Sequence, residues 1–122
     1  MEGKHTKTHK NLEIWKEGIK LVTKIYKLTK NFPKEELYGL TSQMRRAAVS
    51  YPSNLAEGAA RDSIAEYIRY IYISLGSLSE LETQLIISRN LGFSSDIDDL
   101  LSDIKALNSR TRSLVKYLKG KE

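Results

Sequence analysis

The chain has 122 residues, no cysteine and a formal net charge of +5. This length fits one compact domain, and the lack of cysteine excludes disulfides, thiolate metal sites and thiol catalysis. No apolar run approaches the roughly 20 residues of a membrane span, and the first ten residues lack the apolar segment of a secretory signal. We therefore expect a cytoplasmic protein that does not contact a membrane.

The positive charge is concentrated toward the N-terminus. Residues 1–34 hold nine lysines and three glutamates, whereas residues 35–122 hold 11 basic and 12 acidic side chains. Such asymmetry is typical of proteins that bind an anionic partner, most often nucleic acid. The alternative is a solvated lysine face that only keeps the protein soluble. We expect residues 1–9 to form a basic flexible tail and residues 10–122 to form a single domain.

Apolar residues recur at three- and four-residue steps, β-branched alternation is absent, and Pro33 and Pro52 are the only prolines. Because the connections between periodic segments are short, neighbouring helices are expected to run antiparallel. The predicted fold is all-α, an up-down-up-down antiparallel four-helix bundle. The pattern places the helices near residues 10–31, 36–60, 63–91 and 95–119.

Several helix ends carry recognisable capping residues. Ser63 and Glu66 have the spacing of a capping box, in which each side chain satisfies a free backbone N–H. Gly92 fits the C-terminal cap of the same helix. Ser94 or Ser95 is expected to cap the fourth helix.

The first helix has an unusually wide apolar surface. At about 100° per residue, its apolar side chains cover an arc of roughly 180°, whereas a helix packed on one side needs about 100°. The extra width predicts contact with another subunit, and the alternative is a deeper place within the bundle. The residues are Ile14, Trp15, Ile19, Leu21, Val22, Ile25, Tyr26, Leu28 and Phe32.

The second helix contains Pro52 in mid-course. Proline lacks the N–H that would bond the carbonyl of Ala48, which predicts a kink. Asn54 is expected to bond backbone near this kink, and Glu57 to pair with Arg61 four residues later. Together these polar residues form one stripe beside the core face, for which we expect a structural role: Gln43, Ser50, Asn54, Glu57 and Arg61.

The third helix has an apolar seam that includes one carboxylate. Glu82 comes four residues after Leu78 and three before Leu85, a spacing that places it at a core position of this seam. A buried carboxylate needs a partner or a shifted pKa. We therefore predict that Arg45, or another basic group, meets Glu82.

Three stretches carry a resemblance to a known family: "YGLTSQMRRAAVSYPSNLAEGAAR", "EYIRYIYISLGSLSELETQL" and "LGF", with a fitting start in "LEIWKEGIKLVTKIYKLTKNFPKEE". They resemble the four-helix-bundle proteins named after intervening sequences of 23S ribosomal RNA, from about Leu12 to Phe93. The last helix carries little of this signature. The positions that match are Thr41, Ser42, Gln43, Arg45, Arg46, Pro52, Asn54, Glu57, Gly58, Arg61, Gly76, Glu80 and Glu82.

The resemblance implies a four-helix bundle that assembles as a homopentamer, with a molecular role that is largely unknown. It extends to the accessory variability determinant of diversity-generating retroelements, which binds nucleic acid and a reverse transcriptase through a basic pentameric barrel. A nucleic-acid-processing protein is therefore an expected kind of partner. Kinship of fold does not by itself establish function.

The residues favour non-specific binding of RNA or DNA by an oligomer. Lysines would contact phosphates, and Arg46 points away from the core face and could join them. The alternative is a protein-binding scaffold with no nucleic-acid contact. The candidate contacts are Lys16, Lys20, Lys24, Lys27 and Lys30, with Lys4, Lys7 and Lys10 in the tail.

An enzyme is not expected. Glu57, Glu80 and Glu82 invite comparison with di-iron bundles, but those need a Glu-x-x-His pair on each of two helices. The two histidines, His5 and His9, both lie in the tail. No phosphate loop or nucleophile motif is present. We therefore predict no catalytic residue, no metal and no cofactor.

Overall fold

The computed structural model describes residues 9–122, with side chains described from Asn11 onward. This range contains four α-helices, one short 3-10 helix and no β-strand. The prediction of an all-helical, four-helix protein is confirmed, while the predicted basic tail lies outside the described residues except for His9. The helices are α1 (His9–Thr29), α2 (Leu40–Ala59), α3 (Ile64–Asn90) and α4 (Asp98–Lys119), and the 3-10 helix is Lys34–Glu36.

The helices pack around one apolar core. α1 and α3 each contact both α2 and α4, so α1 and α3 lie at opposite corners of the bundle. The rings of Phe32 and Phe93 lie 5.7 Å apart, which joins the connection after α1 to the connection after α3. Residues from every helix are completely or almost completely buried, including Ile25, Met44, Ile71, Leu78, Leu85 and Leu114.

The connection between α1 and α2 is longer than predicted. α2 was expected near residue 36 but begins at Leu40. In residues 33–39 backbone N–H groups instead donate to the carbonyl three residues earlier, as Gly39 N–H does to the Glu36 carbonyl at 3.0 Å. Gly39 itself has a non-helical backbone conformation. The Glu36 carboxylate accepts a hydrogen bond from the Leu40 N–H at 3.1 Å, which satisfies a free donor at the start of α2.

The Ser63 half of the predicted capping box and the predicted Gly92 cap are confirmed. Ser63 Oγ accepts from the Glu66 N–H at 3.1 Å, and Gly92 has a positive φ of 80°. The Phe93 N–H bonds the Ser88 carbonyl at 2.9 Å, as in a Schellman motif. The predicted Ser94 or Ser95 cap is wrong, because α4 begins only at Asp98 and the Ser94 hydroxyl instead bonds that of Ser88 at 2.7 Å.

The prediction of a buried Glu82 paired with Arg45 is wrong. After Leu78 the buried apolar positions of α3 step by three residues to Leu81 and then by four to Leu85, and Glu82 is exposed. A seam of three- and four-residue steps allows either Leu81 or Glu82 to follow Leu78 in the core. The apolar side chain of Leu81 takes the buried position. Arg45 lies elsewhere, at the junction of α1 and α2.

Candidate nucleic-acid interface

The five predicted lysines form one exposed row along α1, in which Lys30 directly follows the last residue of the helix. Lys16, Lys20, Lys24, Lys27 and Lys30 are all exposed. At about 100° per residue they fall within an arc of roughly 120°, on the side of α1 away from the buried Ile14, Leu21 and Ile25. We call them the lysine row.

Two lysines of the row have carboxylate partners. Lys20 Nζ lies 3.5 Å from Glu17 Oε1, and Lys24 Nζ lies 2.7 Å from Asp103 Oδ2 on α4. The hydrogen bond that Lys24 donates to Asp103, followed by the negative charge of that carboxylate, raises the pKa of Lys24. Exposed pairs of this kind contribute little to stability.

The other three lysines of the row have no such partner. Lys16, Lys27 and Lys30 form no ion pair within residues 11–122. Cations that lack a protein counterion are suited to contact a polyanion, because their charge is neutralised by the ligand. The row therefore presents at least three ammonium groups that have no carboxylate partner among the described residues.

Arg46 lies in a different place from the lysine row. It is exposed on α2 and lines an open pocket of about 430 Å³ between the end of α1 and the start of α2, and no lysine of the row lines this pocket. We call this the arginine pocket. Its walls are Tyr26, Leu37, Tyr38, Thr41, Ser42, Arg45, Arg46 and Val49.

Arg45 is fixed within this pocket by two contacts. Its Nε donates to Thr29 Oγ1 at 2.9 Å, and its guanidinium carbon lies 4.6 Å from the centre of the Tyr26 ring. The sequence prediction missed the pairing of Arg45 with Tyr26, and gave no role to Tyr38, whose side chain is 93% exposed. The only sequence signal is an aromatic residue beside Gly39 in a connection between helices.

The polar stripe of α2 is held largely by local contacts. Asn54 Nδ2 donates to the Ser50 carbonyl and to Ser50 Oγ, both at 2.9 Å, and Glu57 Oε2 lies 3.2 Å from Arg61 Nη2. Both predicted contacts are confirmed. Arg61 Nη2 also donates to Tyr70 Oη at 2.7 Å, whereas Gln43 is exposed on the first turn of α2.

The helices α2 and α3 approach closely around Pro52. Ser74 Oγ donates to the Tyr51 carbonyl at 2.8 Å and Ser77 Oγ donates to Ser50 Oγ at 2.7 Å. A Cβ atom on Gly58 would lie 2.7 Å from Tyr70 Cβ. The small side chains of this region therefore serve helix packing.

Apolar side chains remain exposed on two opposite helices. On α1 the four residues Leu12, Trp15, Ile19 and Tyr26 are each at least 39% exposed, and the first two line an apolar pocket of about 460 Å³. The wide apolar arc of α1 is therefore only partly used by the core. On α3 the exposed apolar residues are Tyr72, Ile73, Ile86 and Ile87.

In residues 11–122 no cluster of three or more His, Asp or Glu side chains could hold a metal ion. Within the described helices, none has the length and apolar character needed to cross a bilayer.

The family of 23S rRNA-intervening sequence proteins matches residues 10–116 of the sequence. The chain belongs to this family. The match includes α4 almost to its end, so this intervening-sequence protein carries the family pattern over nearly all of its described helices.

A solved structure supports the fold of this intervening-sequence protein. A protein of unknown function from the S23 ribosomal protein family of Bacteroides thetaiotaomicron superposes with a TM-score of 0.81 at 20% sequence identity. The superposition covers 88% of this chain and 98% of the other. At this identity the likeness is one of fold. No functionally curated protein matches the sequence.

Proposed function

We propose that this intervening-sequence protein is a cytoplasmic homo-oligomer that binds RNA or DNA through the lysine row, without catalysing a reaction. The observation that carries the proposal is the presence of Lys16, Lys27 and Lys30 on one exposed face without carboxylate partners in the described chain. Contacts of this kind recognise the charge of the backbone and carry no direct sequence information.

Assembly would multiply a weak contact. The exposed apolar faces on α1 and α3 lie at opposite corners of the bundle, so the α1 face of one copy can cover the α3 face of the next. A head-to-tail contact of this kind closes into a ring when its rotation permits. The pentameric number rests on the family resemblance. Each copy in a ring would present its own lysine row, which raises avidity for a long strand.

We propose in addition that the helices run alternately up and down and that α2 is kinked at Pro52. Short connections favour antiparallel neighbours, and the contact between Phe32 and Phe93 places two of these connections side by side. The kink is supported by the missing N–H of Pro52, which lies inside α2. Both features would set how the α1 and α2 surfaces face a neighbouring copy.

The direct test is binding of a fluorescent single-stranded RNA decamer to the full chain at low salt. Replacing Lys16, Lys27 and Lys30 together by alanine is expected to weaken binding at least tenfold, because three phosphate contacts are lost. The matched control replaces Lys105, Lys116 and Lys119 of α4, which removes the same charge from another helix. Equal affinities for the two triple variants would reject the lysine row as the contact surface.

A protein-binding scaffold is the second candidate, and the exposed apolar faces favour it. Trp15 and Ile19 on α1, or Ile73 and Ile87 on α3, would then bind another protein, such as one that processes nucleic acid. A defined partner that stays bound after nuclease treatment, and is lost in Ile19→Glu, would support this function. Loss of the partner on nuclease treatment would instead indicate that a nucleic acid bridges the two proteins, and would favour nucleic-acid binding.

A further inference from the structure

The arginine pocket contains two guanidinium groups and no acidic wall residue. Arg45 and Arg46 are adjacent in sequence and line the same concavity. None of the residues that form its walls is aspartate or glutamate, and neither arginine forms an ion pair within the described part of the chain. Two like charges in one concavity repel each other until an anion binds between them.

Arg45 is held in place while most of its donors stay available. Among the described residues its one side-chain hydrogen bond uses Nε, which donates to Thr29 Oγ1, and its guanidinium carbon lies 4.6 Å from the centre of the Tyr26 ring, a cation–π contact. The four N–H bonds of its two Nη atoms have no protein acceptor in this range. A planar fork of this kind matches the oxygens of a phosphate.

The remaining walls are aromatic, hydroxyl and apolar. Tyr38 is 93% exposed and Val49 is 40% exposed, and the side chain of Ser42 adds a hydroxyl group. An exposed phenol ring offers a stacking surface to any nucleobase that is free of a duplex. A volume of about 430 Å³ falls within the range of small-ligand sites.

We propose that the arginine pocket binds one nucleotide of a single strand, with its phosphate on Arg45 and Arg46 and its base on Tyr38. This rests on the proposed function, which it deepens. Lys30 is exposed and directly follows α1, and its N–H donates to the Tyr26 carbonyl at 3.1 Å, so the two residues are neighbours at the end of the helix. A strand that follows the lysine row thus reaches the pocket at the end of α1, and the protein prefers single strands to duplexes because a paired base cannot stack on Tyr38.

The test uses the full chain with three probes: a uridine decamer, the same decamer paired with an adenosine decamer, and uridine monophosphate. Tyr38→Ala is expected to weaken binding of the single strand about fivefold or more and to leave duplex binding within about twofold. Arg46→Ala and Arg45→Lys are expected to weaken binding of uridine monophosphate, while Arg112→Ala on α4 is the charge-matched control. Uridine monophosphate is expected to shift the backbone amide resonances of Tyr38 and Ser42, and to bind more tightly than inorganic phosphate.

The possible failures are distinguishable. If the decamer binds through the lysine row but Tyr38→Ala and Arg46→Ala behave as wild type, the pocket proposal is overturned and the proposed function stands. If the decamer does not bind while uridine monophosphate shifts Tyr38 and Ser42, the pocket is a site for free nucleotides and the proposed function is wrong. If uridine monophosphate shifts no amide between residues 38 and 49, the pocket proposal is overturned.

Discussion

Tyr51 on α2 and Thr111 on α4 are joined by a hydrogen bond of 2.8 Å between their hydroxyl oxygens. Both residues are completely buried. The Thr111 hydroxyl donates to the Leu107 carbonyl at 2.6 Å, so the Tyr51 hydroxyl is the donor in the contact between helices. A buried polar pair of this kind fixes the relative position of two helices that otherwise meet through apolar side chains.

Replacing Tyr51 by phenylalanine removes this donor and little volume. We expect the free energy of unfolding to fall by about 0.5–1.5 kcal/mol, since the Thr111 oxygen loses a buried partner. Urea unfolding at fixed protein concentration measures the change. Tyr38→Phe is the control, because Tyr38 is exposed and its hydroxyl forms no side-chain bond in the described chain. Equal losses in the two variants would contradict a role for the buried bond.

Stability should decline at alkaline pH because of two tyrosines. Burial raises the pKa of Tyr51 and of Tyr67 to about 12, compared with about 10 in an unfolded chain. The folded protein therefore keeps protons that the unfolded chain loses, so the free energy of unfolding is unaffected below about pH 10 and falls from there to about pH 12. The double variant Tyr51→Phe, Tyr67→Phe should show a shallower decline than wild type. A slope identical to that of wild type would contradict the assignment.

The head-to-tail assembly predicts a complementation pattern. Ile19→Glu on α1 and Ile87→Glu on α3 each place a carboxylate in one face, so each variant alone should be monomeric by light scattering. Mixed together they should form dimers and nothing larger, since one intact face of each kind remains. Tyr117→Glu on α4 should keep the mass of wild type. A mixture that stays monomeric, or single variants with the wild-type mass, would rule out this interface.

Two glycines of the helices should respond to alanine with opposite signs. A Cβ atom on Gly18 would lie 2.7 Å from two ring carbons of Tyr51, whereas one on Gly76 would have no neighbour within 4 Å. Overpacking should make Gly18→Ala less stable by about 1–2 kcal/mol after the gain in helix propensity. Gly76→Ala should be more stable by about 0.5–1 kcal/mol. Urea unfolding of both variants in the Ile19→Glu background separates these effects from assembly, and changes of the same sign would contradict the packing described for Gly18.

Local chemistry made much of the fold predictable. The three- and four-residue spacing of apolar residues predicted the four helices. Ser63 and Gly92 cap the two ends of α3 through contacts with a few neighbouring residues. The pairing of Glu57 with Arg61 follows from a spacing of four residues. In each case the interacting groups are close in sequence, so the helix geometry alone brings them together.

The errors arose where a choice depended on the rest of the molecule. Glu82 and Leu81 both fit a seam of three- and four-residue steps, and only the packing of the other helices decides which is buried. The arginine pocket joins residues from Tyr26 to Val49 across an aperiodic connection. No periodic pattern covers such a connection, so the contact of Arg45 with Tyr26 could not be predicted.

The central claim, that the lysine row binds the nucleic-acid backbone, is tested most directly by the salt dependence of affinity. For single strands, the logarithm of the binding constant falls with the logarithm of salt concentration by about 0.7 per phosphate contact. Replacing Lys16, Lys27 and Lys30 by alanine should therefore lower the magnitude of this slope by about 2 for each bound copy, while the triple variant of α4 keeps the wild-type slope. An unchanged slope in the lysine-row variant, or wild-type RNA binding that persists undiminished at about 0.5 M salt, would contradict the account.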